Sequence, residues 1–195
     1  MIQVTPAILT KDSIEFQKLL GKFKIFKTLD IDIIRPPFAE NETLGTSEVL
    51  NLIDLNDKIS FGFHFILKNP EIDINLLKNF YLASRQTELS SRRLRVYIHQ
   101  ESDNVSFFSN IEFPEQWDKC LAIKINSPLL TLDFYNKFEE IQLMSIEIGF
   151  QGNRFNKKVI KRVEQLREIG YHKKISLDGG VNLKTANLIK GLKID

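Results

Sequence analysis

The chain has 195 residues, 43% of them hydrophobic and 27% charged, an ordinary globular composition with enough length for one sizeable core. Its 27 basic and 25 acidic residues leave a formal charge of +2, which builds in no long-range attraction to a polyanion, so no nucleic-acid partner is expected. No run reaches the roughly 18 apolar residues of a membrane helix. The opening Met1-Ile2-Gln3-Val4-Thr5-Pro6 lacks the basic stretch and apolar core of a signal peptide, and the single Cys120 forms neither an internal disulfide nor a cysteine metal cluster. A cytoplasmic protein with no membrane partner is expected.

Apolar, β-branched runs alternate with amphipathic segments. Val4 to Leu9 is the first predicted strand, and Asp12 caps a predicted helix through Leu20 that Gly21 should stop. Ile25 to Ile34 and Ile59 to Leu67 are the second and third strands, the latter followed by a helix from Pro70. Leu94 to His99 is the fourth strand, with Arg92, Arg93 and Arg95 as a solvated lead-in. Leu121 to Ile125 is the fifth, with a helix over Leu129 to Phe138, and Ile141 to Ile148 is the sixth. Lys157 to Ile169 is the clearest helix, with Val159, Ile160, Val163 and Leu166 on one face and Gly170 at its end. Ile175 to Leu177 is the seventh strand and Leu183 to Leu192 its helix. Strands that read as apolar, each followed by a crossover helix, indicate a parallel sheet covered by helices, and seven such units favour a (β/α)₈ barrel in one domain over residues 1–195. The last strand candidate, Leu192 to Asp195, has no helix after it, so the eighth unit is expected to be incomplete.

Polar residues at strand ends are the first site candidates in such a barrel. Asp30 and Asp32 are two apart, which puts both carboxylates on one strand face. They are either a site pair sharing a cation or proton, or a wet strand end. His64 stands among phenylalanines, where a hydrogen-bonded core histidine is the commoner outcome. Asp178 ends an apolar strand, and Gly179 and Gly180 after it permit close backbone approach to a ligand. Asp30, Asp32, His64 and Asp178 together offer three oxygen ligands and one nitrogen ligand, a set suited to Zn, Mn, Fe or Co. The turn Gly149-Phe150-Gln151-Gly152-Asn153 can aim N–H groups at an anion. His99, Gln100 and Glu101 form another polar strand end that supports the site or caps a loop. His172, Lys173 and Lys174 read as solvated surface, and Cys120 as a packed small hydrophobe.

These residues carry a resemblance to the ribulose-phosphate 3-epimerase family, a group of (β/α)₈ enzymes of the ribulose-phosphate-binding type that interconvert D-ribulose 5-phosphate and D-xylulose 5-phosphate. Thr5-Pro6-Ala7-Ile8-Leu9 is similar to its opening strand. Asp30-Ile31-Asp32 with Phe38-Ala39-Glu40-Asn41, Phe63-His64-Phe65-Ile66 with Asn69-Pro70, and His99-Gln100-Glu101 follow in order. The longest matches run from Met144 to Phe155 and over Leu177-Asp178-Gly179-Gly180-Val181-Asn182. The resemblance implies Asp32 and Asp178 as the acid and base pair. It implies a divalent metal held at the positions of Asp30, Asp32, His64 and Asp178, and sugar-phosphate contacts from His64, Met144, Gly149, Gly152, Gly179 and Gly180. The family forms homo-oligomers, which leaves self-association open. The sequence departs from the family pattern where Asp30 replaces a metal histidine, Ala7 a serine, Ile34 and Ile66 methionines, Arg35-Pro36 an Asp-Gly and Gln151 a glycine. The other reading of these departures is a catalytically inactive barrel relative that binds a sugar phosphate or acts as a non-enzymatic protein.

Overall fold

The computed structural model describes residues 3–53, 59–83, 93–148 and 152–194. Its elements, in chain order, are β1 (Ala7–Ile8), α1 (Ser13–Phe23), β2 (Thr28–Ile34), α2 (Thr46–Leu52), β3 (Ser60–Ile66), α3 (Glu71–Ala83) and β4 (Leu94–His99). They continue with α4 (Val105–Asn110), β5 (Trp117–Ile123), α5 (Leu132–Tyr135), β6 (Glu140–Met144), α6 (Lys158–Glu168), β7 (Lys174–Asp178) and α7 (Leu183–Ile189). The strands are all parallel and hydrogen-bond in sequence order from β1 to β7. The result is an incomplete (β/α)₈ barrel. β1 and β7 end the sheet, and residues of both line one interior cavity of about 130 Å³.

The side-chain alternation of each strand divides the molecule into two layers. Leu29, Ile31 and Ile33 of β2, Phe61, Phe63 and Phe65 of β3, Val96 and Ile98 of β4, and Leu121 and Ile123 of β5 belong to the buried hydrophobic core. Helix residues Phe16, Leu20, Ile74, Leu77, Val159, Val163 and Leu166 join the same core. Many of the alternate positions are polar: Asp30 and Asp32, His64, Arg95 and His99, Glu140 and Gln142, Ser176 and Asp178. β2, β3, β4, β6 and β7 are therefore not apolar throughout, whereas β5 carries Cys120 and Ala122 on this face.

Helix limits follow local chemistry. Asp12 caps α1, its carboxylate accepting the Glu15 N–H at 2.7 Å, but Gly21 does not stop the helix, which runs on to Phe23. α2 and α4 were not expected from the sequence. α2 starts where Glu48 Oε2 accepts the Gly45 N–H at 2.7 Å, half of a capping box. β5 begins four residues before its expected start, because the charges of Asp118 and Lys119 find partners in Arg93 (2.8 Å) and the Ser109 carbonyl (3.0 Å). β6 ends at Met144 rather than Ile148 because Ser145 turns toward β7. Among the described residues no helix is long and apolar enough to cross a membrane.

Candidate active site

Register brings the site together. Asp32 on β2 pairs with His64 on β3, and Met144 on β6 with Asp178 on β7. Each carboxylate's strand end is held by a hydroxyl. Thr43 Oγ1 donates to the Asp32 carbonyl at 2.8 Å and accepts the Ile34 N–H at 2.9 Å. Ser145 donates its N–H to the Asp178 carbonyl at 2.7 Å and shares its hydroxyl between that carbonyl and the Gly179 carbonyl. Neither Thr43 nor Ser145 stood out in the sequence, since both are small polar residues whose partners lie on other elements.

The carboxylates of Asp32 and Asp178 meet at one nitrogen. His64 Nδ1 lies 3.2 Å from Asp32 Oδ1 and 3.5 Å from Asp178 Oδ2. On the far side of the ring, His64 Nε2 lies 3.0 Å from His99 Nε2, and His99 Nδ1 lies 3.4 Å from Glu101 Oε2. Burial alone would lower the His64 pKa, but the Asp32 hydrogen bond and the charges of Asp32, Asp178 and Asp30 outweigh it and raise it. Burial pushes the Asp178 carboxyl up to about 6, with the neighbouring Asp32 charge adding to it and His64 opposing. A buried and a half-buried acid with a histidine between them can hold and pass a proton.

An open cavity of about 830 Å³ lies above this group, bordered by Asp32, Met144, Asp178, Gly179, Gly180 and Gly152. Gly179 and Gly180 have φ of 96° and 64°, conformations that L side chains rarely adopt. A Cβ on Gly180 would also sit 2.8 Å from the Phe155 backbone nitrogen. The bare backbone of this turn is thus a requirement of the fold, and it borders the cavity. Arg154 supplies a basic side chain on the same wall. Gly149 lies outside the described residues, as do Phe150 and Gln151 of the same turn.

The structure does not bring Asp30 into this group. Its carboxylate accepts from Arg95 Nη2 at 2.8 Å, and both side chains are largely buried. Gly62 makes the pairing possible. It stands between Asp30 and Arg95 in the sheet register, and a Cβ there would overlap the Asp30 carboxylate. Burial pushes the Asp30 carboxyl up to about 7 against the pull of Arg95. Burial likewise works against the Arg95 charge, but Asp30 outweighs it and raises the guanidinium pKa. Among the described residues no group of three or more His, Cys, Asp or Glu is arranged to hold a metal ion. Of the four donors expected from the sequence, Asp32, His64 and Asp178 thus meet, while Asp30 is paired with a largely buried guanidinium. The sequence expectation that Arg95 belongs to a solvated lead-in is corrected by its largely buried pairing with Asp30.

Comparison with known proteins agrees with this architecture. The sequence model of the ribulose-phosphate 3 epimerase family matches residues 3–194. The chain is 23% identical over 190 residues to a ribulose-phosphate 3-epimerase of Mycobacterium leprae, covering 93% of this chain and 79% of the relative. It is 23% identical over 199 residues to that of Schizosaccharomyces pombe, covering 95% and 79%. Over 167 residues it is 24% identical to that of Encephalitozoon cuniculi, covering 84% and 69%. With its seven β/α units in family order, and a family match over nearly all its length, the chain belongs to the ribulose-phosphate 3 epimerase family.

Proposed function

We propose that this chain epimerises a pentose phosphate at C3, converting D-ribulose 5-phosphate to D-xylulose 5-phosphate and back through an enediolate. The convergence of Asp32 and Asp178 on His64 Nδ1, beneath the cavity, is the observation that carries the reading. One aspartate, as carboxylate, takes the C3 proton from one face of the substrate. The other, as carboxylic acid, returns a proton to the opposite face, and the configuration inverts. The raised Asp178 pKa suits it to the acid role in one direction, and the roles exchange in the other. His64 contacts both carboxylates, and a proton on its Nδ1 would be placed to stabilise the developing oxyanion. The phosphate would lie against the backbone of Gly179, Gly180 and Gly152 with Arg154 beside it, and Met144 would pack against the carbon chain.

The family generally depends on a divalent metal. Here Asp30 is engaged by Arg95, so no step is assigned to such an ion. Exchange of substrate hydrogen into deuterium oxide tests the proposal directly. With ribulose 5-phosphate, Asp32→Asn and Asp178→Asn should each slow exchange by about 100- to 10,000-fold while circular dichroism stays unchanged. Normal exchange by both variants would remove the mechanism. A folded wild-type protein that binds the sugar phosphate without exchanging its hydrogen would instead identify an inactive barrel relative.

A further inference from the structure

Glu140 on the inner face of β6 is 5% exposed, and its carboxylate is met by hydroxyls. Tyr97 and Ser176 both donate to Oε1, at 2.9 and 2.6 Å. Tyr97 reaches it across Cys120, which stands between the two in the sheet register. Arg95 lies near enough to feel the Glu140 charge, but its guanidinium donates to Asp30 at 2.8 Å. Among the described residues Glu140 has no salt-bridge partner. A buried carboxylate is costly unless a cation offsets it. Two residues along the same face, Gln142 is equally buried, and its Oε1 has no hydrogen-bond partner among the described residues. Its register neighbour on β7 is Ser176. Glu140, Gln142, Ser176 and Tyr97 all line the interior cavity of about 130 Å³, room for about four water-sized groups at ~30 Å³ each.

We propose that this cavity binds a monovalent cation of potassium or ammonium size through the Glu140 carboxylate, Gln142 Oε1 and the hydroxyl oxygens of Ser176 and Tyr97. Both hydroxyls give their protons to Glu140, so their lone pairs remain for an ion. One carboxylate among neutral oxygens balances a single positive charge. The field in the cavity has the same sign preference, since Asp30, Asp32, Glu140 and Asp178 line it against one guanidinium, Arg95. Glu140 also borders an open depression of about 420 Å³, with Glu139, Lys173 and Lys174. Glu140 and Lys174 open β6 and β7, whereas Asp178 closes β7. The ion therefore has a way in from the mouth opposite the paired aspartates.

The test needs no substrate and so stands apart from the epimerase reading. Thermal unfolding is followed in potassium, ammonium and choline chloride at equal ionic strength, choline being too large for the cavity. Potassium or ammonium chloride at a few times its Kd should raise Tm by about 2–4 °C over choline chloride, and the larger of the two shifts identifies the ion. In Gln142→Met, which keeps the side-chain length and loses the oxygen, and in Glu140→Gln, the three melts should coincide. Crystals soaked in rubidium chloride should show an anomalous peak between Glu140 and Gln142. Equal Tm in all three salts with no peak in the cavity would mean that it holds water alone, and would overturn the proposal. A shift or peak that survives Gln142→Met places the ion elsewhere and overturns it too. If neither variant folds, the wild-type melts and the rubidium peak decide.

Discussion

Asp30 and Arg95 face each other across Gly62, a residue whose missing side chain makes room for the ion pair. Truncating one partner of a buried pair strands the other charge. Asp30→Ala should therefore cost about 3–5 kcal/mol in urea denaturation. A residue that mattered only as a metal ligand would leave the stability of the metal-free protein nearly unchanged, so the measurement separates the two roles. His99 gives a second prediction at this scale. Its folded pKa is depressed to about 4 by burial first, with the nearby His64 and Lys124 charges adding and Glu101 opposing. The unfolded chain binds a proton near pH 6.5, whereas the folded one does not. The stabilisation is complete above pH 6.5 and is lost as pH falls toward 4. Stability measured from pH 7 to 5 should fall less steeply in His99→Phe than in the wild type; parallel slopes would remove His99 as the source. Arg95 was hidden in the sequence because its partner is 65 residues away, while the two-residue spacing of Asp30 and Asp32 was visible and put both on one strand face. What spacing could not show is that neighbouring carboxylates on one face choose different partners.

Between elements, the loop after β2 is tied down by Asp73 of α3. Arg35 donates to both of its oxygens at 2.7 and 3.1 Å, and Thr46 of α2 adds a third hydrogen bond at 2.5 Å. Asp73 is buried, so Asp73→Ala removes a charged acceptor from three donors. It should cost about 2–3 kcal/mol, read as a shift in the urea midpoint without a change in slope. A cost below that of an ordinary surface substitution would mean that the three contacts do not hold the loop. α2 and α3 meet here, yet α2 was not legible in the sequence. Its seven residues, Thr46 to Leu52, are too few for a helical period to declare itself, and the Glu48 contact that starts it depends on backbone geometry. Long periodic segments behaved differently. α6 was expected over Lys157 to Ile169 and spans Lys158 to Glu168, because Val159, Val163 and Leu166 fix its buried face.

At the scale of the whole molecule, the order of the seven units was legible because apolar strand runs and crossover helices alternate along the chain. The polarity of the barrel interior was legible only in part: Asp30 and Asp32 stand out between Ile31 and Ile33, whereas Arg95 and Tyr97 are masked by the apolar residues Leu94, Val96 and Ile98 around them. Alternation explains both: the outward half packs under the helices, and the inward half forms a hydrogen-bonded interior in which Tyr97 and Ser176 both donate to Glu140, at 2.9 and 2.6 Å. Strand pairing is uneven across this sheet. β1 meets β2 at only two register positions, whereas β2 meets β3 at seven and β4 meets β5 at six. Local opening follows the number of neighbouring hydrogen bonds and buried contacts that must be broken. Amide hydrogen exchange should therefore be fastest among the strands in β1, intermediate in β7, which has a neighbour on one side, and slowest in β3 and β4, which have neighbours on both. If β1 instead exchanged as slowly as β3, a further protecting contact would have to lie along its free edge. The edge at β1 borders the same cavity as Asp32 and Asp178, so that contact would also bear on how the site is closed from solvent.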